Sequence, residues 1–262
     1  MSKQPVDRKD ESLSATIVFA LVLLSGLVAY HVYDRPWLAL SGFVIFATGT
    51  FLVPVLAAIR ASAAAVLISY FVLEVSKYVP ILGQWPLDFF LVFFAAFLLI
   101  KRIFKTDFST RWDLRFSRKE WFSVVIILVP TIGCLVWYYV RYPEIVSRFP
   151  LPKMSWWTAP IFVALAAAIN GLREELLYRY FLQRIFTRSL AAPVAVLLQA
   201  VAFGFLHFQN GFPQGWVGVV LTSIFGLALG VQYYLFNSIT LVWLTHSLAD
   251  AIMFSIIIIF RR

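Results

Sequence analysis

Three short constellations carry side chains able to do chemistry: Glu174-Glu175 with Tyr178 and Arg179, then Phe203 with Gly204 and His207, then His246 with Asp250. A carboxylate and two imidazoles can activate a water molecule, the carboxylate serving as base and the imidazoles holding the water or a developing oxyanion. The same donors, with Asp250, also suit zinc. Glu175 and Arg179 stand four apart, so on a helix they share a face and can pair. Glu174 points about 100° away, which is expected to leave its carboxylate free. His246 and Asp250 also share a face, and Asp250 is expected to hold the His246 ring in one tautomer. The first two constellations each have a plainer reading alone: Glu174 to Arg179 as an interfacial salt-bridge cluster supported by Arg173, Arg184 and Arg188, and His207 as a hydrogen-bonded packing residue; a His–Asp pair within a membrane helix is harder to dismiss. Their weight lies in occurring together, since two of the chain's 3 histidines fall here.

All three lie in or beside long apolar runs. The chain has 262 residues, 61% hydrophobic, and a mean hydropathy of +0.85. Runs of roughly 18 or more apolar residues are candidate membrane helices, and ionisable groups within them are costly enough to imply function. The expected spans are about Leu13–His31, Trp37–Ile59, Ala61–Val79, Trp85–Ile100, Trp121–Val140, Trp156–Ile169 and beyond, Ala191–Phe208, Trp216–Phe236 and Ile239–Phe260, an all-α polytopic bundle of about 8–9 helices. Trp37, Trp85, Trp121, Trp156, Trp157 and Trp216 mark run edges, where amphipathic rings anchor. The first run is too long for a signal-peptide core and is read as a span. The Glu174 cluster follows the run Trp156–Ile169 without a proline or a turn signal, so one helix from about Trp156 to Arg188, ~50 Å long, is expected, able to carry Glu174 into the bilayer.

The net charge is +9, which in a soluble chain would suggest nucleic acid. Here the cations gather between apolar runs, and the positive-inside rule accounts for them instead. The densest group, Lys101 to Glu120, is expected to be cytoplasmic, a surface helix or linker dividing an N-terminal four-helix region (1–100) from a site-bearing region (121–262). Counting back through four spans places the N-terminus inside. Glu74 and Lys77 are expected to pair, and His31 beside Asp34 reads as an interfacial anchor. The single cysteine, Cys134, cannot form an internal disulfide. Gly226 and Gly230 are spaced for close helix packing, a pattern that leaves oligomeric state undefined.

The motifs Glu174-Glu175-x-x-x-Arg179, Phe203-x-x-x-His207 and His246-x-x-x-Asp250, in that order on successive apolar helices, resemble the CAAX protease and bacteriocin-processing (Abi) family, which includes the type II CAAX prenyl endopeptidase. The resemblance spans about Trp121 to the C-terminus. It implies an intramembrane, metal-free glutamic endopeptidase with no cofactor, zinc being the lesser alternative. Glu174 would be the base and His207 would hold the water; His246 and Asp250 would take the oxyanion positions, and Glu175 and Arg179 would support. The substrate implied is a prenylated or membrane-embedded peptide, and the setting a bacterial inner (plasma) membrane. The alternative within the family is a non-proteolytic adaptor or immunity protein; a transporter would call for an internal repeat. The prenyl endopeptidase carries Asn where this chain has Asp250, and an ionised Asp cannot donate to an oxyanion. A further C-terminal span of that enzyme has no counterpart before Arg262.

Overall fold

The structure, a computed structural model, describes residues 8–79, 86–105, 108–144, 154–209 and 211–260. The chain is an all-α polytopic bundle. Helices α1 (Arg8–Leu27), α2 (Pro36–Leu52), α3 (Arg60–Ser76) and α4 (Leu87–Phe104) form the first part. Then come α5 (Arg118–Arg141), α6 (Ala159–Glu175), a π-helix (Leu176–Gln183), α7 (Arg184–Ser189), α8 (Ala192–Leu206), α9 (Gly215–Phe236) and α10 (Ile239–Phe260). Among the described residues, five segments are long and apolar enough to cross a membrane: Leu13–Val32, Pro54–Ser76, Arg118–Arg141, Gly215–Phe236 and Ile239–Ile259, with Pro36–Leu52 and Ala192–Leu206 shorter. That is fewer than the expected runs, since α2 and α8 are short and α4 and α6 are not among the five; the second span opens with a 3-10 turn (Pro54–Ile59). The expected edge at Trp85 lies outside the described residues, as does Arg262. Large apolar side chains such as Ile17, Leu21, Ile45, Leu98, Phe122 and Val129 face outward, as lipid-facing positions do.

Local chemistry fixes the ends. Ser117 and Glu120 form a reciprocal capping box at the start of α5. Prolines open α2, α6 and α8, where a missing N–H costs nothing. Asn237, with φ 46°, ends α9 in the left-handed conformation. Pro130 lies inside α5; the Thr131 hydroxyl one residue on donates to Ile127 O at 2.7 Å.

One hydrophobic core runs through both parts, joining Phe19, Phe43 and Val66 to Phe181, Phe186 and Phe203. A second joins α5, α6 and α10 through Tyr138, Ala167 and Phe254. Within the basic segment, Lys101 and Arg102 continue α4, and residues 108–117 are not helical. Arg111 N–H donates to Asn237 O at 2.9 Å and Ile239 N–H donates to Arg111 O at 3.1 Å, clasping this strap to the α9–α10 turn.

Two expectations for the first part are settled by contacts. Lys77 pairs with Glu74 at 2.7 Å, and Tyr30 OH donates to the same carboxylate at 2.8 Å. His31 is not an interfacial anchor: it is buried, 3.2 Å from Tyr70 OH. A π-helical turn over Val28–Val32 contains it, and its ring packs edge-on against Tyr70 of α3.

Candidate active site

The expected continuous helix is present. Residues Ala159 to Ser189 run through α6, the π-helix and α7 without a break, ~46 Å at 1.5 Å per residue. From Glu174 the chain descends ~24 Å to the bend at Leu190 and α8 climbs ~23 Å back to His207. The antiparallel hairpin therefore returns His207 to the level of Glu174, although both follow apolar runs in the sequence. A Cβ added at Gly171 would stand 2.8 Å from Ser247 Oγ and 3.2 Å from Ser247 N. The missing side chain thus lets α10 lie against α6, bringing His246 onto the glutamate pair.

His246 is the hub. Its Nδ1 lies 2.6 Å from Glu175 Oε1, so Nδ1–H donates to that carboxylate and the tautomer follows from the partner. Its Nε2 lies 3.6 Å from Glu174 Oε2 and 3.7 Å from Asp250 Oδ1, beyond a direct hydrogen bond and within the reach of a shared water. Phe203 and Phe225 pack edge-on against the ring, with centroids at 5.8 and 5.2 Å. Asp250 therefore does not orient His246 through a direct bond. Glu175, distant in sequence, does so.

Nor is Glu174 free. Its Oε1 is 3.2 Å from Arg173 Nη2. Arg173 is also held by Asn170, whose Oδ1 accepts from Nε at 2.9 Å and Nη2 at 2.7 Å, and it reaches Asp88 at 3.5 Å. The Asn170 amide donates to Asp250 Oδ2 at 2.9 Å. An amide thus stands beside the last motif position, supplied from α6 rather than by residue 250. Sequence reasoning missed Asn170, Asp88 and Phe225. The one signal for Asn170 is a neutral polar side chain one turn before Glu174 in an apolar run.

Glu175 and Arg179 pair at 2.7 Å with neither side chain exposed to any extent. Arg179 also donates to Gly226 O at 3.2 Å and stacks 4.7 Å over Phe203. Gln183 donates to Gly230 O at 2.8 Å. The Gly226/Gly230 spacing thus works within the chain, bringing α9 backbone carbonyls to buried donors.

His207 caps α8, and its Nδ1 lies 3.3 Å from Phe203 O. It is half-buried and lines a cavity of about 210 Å³ together with Phe203, His246 and Asp250. The opposite wall comes from α5 and α9 and includes Ile126, Pro130, Cys134 and Ile224. Ile126 and Ile224 are 54% and 60% exposed, and Cys134 is exposed, so the cavity opens sideways between lipid-facing helices. Glu174 is not among the described wall residues; it meets the cavity through His246 Nε2. Among the described residues, no three His, Cys, Asp or Glu side chains are placed to hold a metal ion: Glu175 already occupies His246 Nδ1 and Arg179 together.

No curated protein and no solved structure matches the chain. A family model does match, over residues 155–252: "Type II CAAX prenyl endopeptidase Rce1-like". That segment runs from just before α6 into α10 and holds Glu174, Glu175, Arg179, Phe203, His207, His246 and Asp250. Residues 155–252 are therefore similar to the Rce1-like type II CAAX prenyl endopeptidases, which belong to the family that the three motifs resemble.

Proposed function

We propose that the protein is an intramembrane endopeptidase of glutamic type, cleaving a peptide bond in a prenylated or membrane-embedded peptide. The observation that carries this reading is the meeting of three carboxylates on one buried imidazole, Glu175 on Nδ1 and Glu174 and Asp250 at 3.6 and 3.7 Å from Nε2, at the wall of a lipid-facing cavity. An apolar substrate enters between α5 and α9. Glu174 takes a proton from a water held near His207, and the resulting hydroxide adds to the scissile carbonyl. With Glu175 accepting from Nδ1–H, His246 in its protonated form, flanked by three carboxylates, also carries an N–H on Nε2, the donor for the tetrahedral oxyanion. Glu174 then returns its proton to the departing amine as the C–N bond breaks, so the carboxylate is regenerated.

A second assignment of the base has one observation in its favour: Asp250 lines the cavity, whereas Glu174 stands behind His246. Asp250 as base would leave Glu174 to hold the imidazole. The resemblance favours Glu174, and the two are separable. Purified protein in bilayers, given a prenylated peptide, should lose turnover by about 10²–10⁴-fold in Glu174→Gln if Glu174 is the base. Retained turnover in that variant with loss in Asp250→Asn moves the base to Asp250. A chelator arm tests the metal-free reading, which requires undiminished turnover. A folded wild-type protein that cleaves no prenylated or membrane peptide leaves the adaptor or immunity reading in place. The proposed setting is a bacterial inner membrane with a cytoplasmic N-terminus, an orientation supported by the basic segment between α4 and α5; reporter fusions at the N-terminus test it.

A further inference from the structure

Two carboxylates of the site, Glu174 and Asp250, converge on the same imidazole nitrogen. Like charges so placed repel strongly where water is scarce, so something must hold them in fixed relative position. The side chain between them is Asn170. Its Oδ1 accepts two N–H bonds from Arg173, at 2.7 and 2.9 Å, and its Nδ2 donates to Asp250 Oδ2 at 2.9 Å. Arg173 in turn holds Glu174 Oε1 at 3.2 Å. The result is a continuous chain, Asp250 to Asn170 to Arg173 to Glu174, in which each link joins a donor to an acceptor.

Only a neutral amide completes this chain. A carboxylate at 170 would satisfy Arg173 and repel Asp250; a cation would satisfy Asp250 and repel Arg173; a hydroxyl has a single proton and a shorter reach. The amide orientation follows from its partners, since Arg173 has no acceptor to offer and an ionised Asp250 no donor. By taking Oδ2, Asn170 also leaves Oδ1 as the Asp250 oxygen that faces His246 Nε2.

We propose that Asn170 is a positioning residue of the site: it fixes the rotamer of Asp250 and locks its distance from Glu174 through Arg173. It touches neither cavity nor substrate, being absent from the described cavity wall. The proposal rests on the peptidase reading only for its effect on turnover; the coupling between Asn170 and Asp250 stands apart from it.

The test has two arms. In the first, a double-mutant cycle of Asn170→Ala and Asp250→Ala is measured on the unfolding equilibrium of the full chain in micelles, with no substrate. A hydrogen bond to an ionised group predicts a coupling of roughly tenfold in the unfolding constant. Additive effects, within about twofold, overturn the proposal. In the second, prenylated-peptide cleavage per folded molecule should fall at least about tenfold in kcat for Asn170→Asp, with KM unchanged, because the amide acts behind the cavity wall. Asn170→Asp with wild-type kcat, or with KM alone altered, also overturns it. A wild-type protein without turnover removes the peptidase reading but leaves the first arm to decide the role of Asn170.

Discussion

Removing the guanidinium of Arg179 tests the arrangement at its most buried point. The side chain is fully buried, 2.7 Å from Glu175, 3.2 Å from Gly226 O and 4.7 Å above Phe203. Arg179→Met keeps most of the apolar stem and its packing while deleting the charge. What remains is the Glu175 carboxylate, itself fully buried and still bonded to His246. Breaking a buried ion pair from one side costs about 3–5 kcal/mol, because the surviving charge is left uncompensated. The ring contact with Phe203 falls within that sum. Glu175→Gln on top of Arg179→Met removes the stranded charge yet keeps an oxygen to accept from His246 Nδ1–H. Replacing both partners of a buried pair is often close to neutral, so the double variant should regain all but about 1–2 kcal/mol. Equilibrium unfolding in mixed micelles, read by tryptophan fluorescence, measures all three differences. A single variant within about 1 kcal/mol of wild type, or a double variant no more stable than the single, would refute the claim that Arg179 neutralises Glu175 in a water-poor interior.

Two further predictions follow from the packing. Gly204→Ala places a methyl 2.6 Å from Val219 O and closer still to Ser223 Oγ, so α8 and α9 must part; the same unfolding assay should show about 1–3 kcal/mol of destabilisation, and an unchanged stability would mean that the two helices are not in contact there. Cys134 is the only cysteine and stands exposed at the cavity wall, so a bulky apolar thiol reagent should raise KM for a prenylated peptide, with Cys134→Ala immune to the reagent; equal KM in labelled and unlabelled protein would place substrate entry elsewhere.

What could be read from the chain and what could not divides along a physical line. Contacts one helical turn apart are those that periodicity suggests, and of the three such pairs Glu74 with Lys77 and Glu175 with Arg179 form at 2.7 Å, while His246 and Asp250 stop at 3.7 Å. Apolar run length likewise gave the all-α bundle. Contacts between helices depend on rotation and depth, which no single run encodes. Glu175 with His246 is one case, Asn170 with Asp250 another, and His31 with Tyr70 a third. Thus Asp250 was expected to orient His246 because it lies on the same helix, whereas the closer acid comes from α6. Glu174 was expected to be free because its pairing with Arg173 needs Asn170 to steer the guanidinium. The strap at 108–117 was legible as a break in hydropathy, but its two backbone bonds to the α9–α10 turn leave no pattern in either segment.

The glycine face of α9 has a bearing on how copies of this protein can gather in a membrane. Small residues spaced one turn apart are a common seam between identical spans, but here that seam is closed from within. Gly226 O already receives Arg179 and Gln199, Gly230 O receives Gln183, and any Cβ at 230 would strike Gln199. A neighbouring molecule could reach those carbonyls only by evicting the guanidinium and two amides, each then stranded without water. Lateral assembly through α9 has to use its other side, where Val220, Leu227, Val231 and Leu235 turn outward to the lipid.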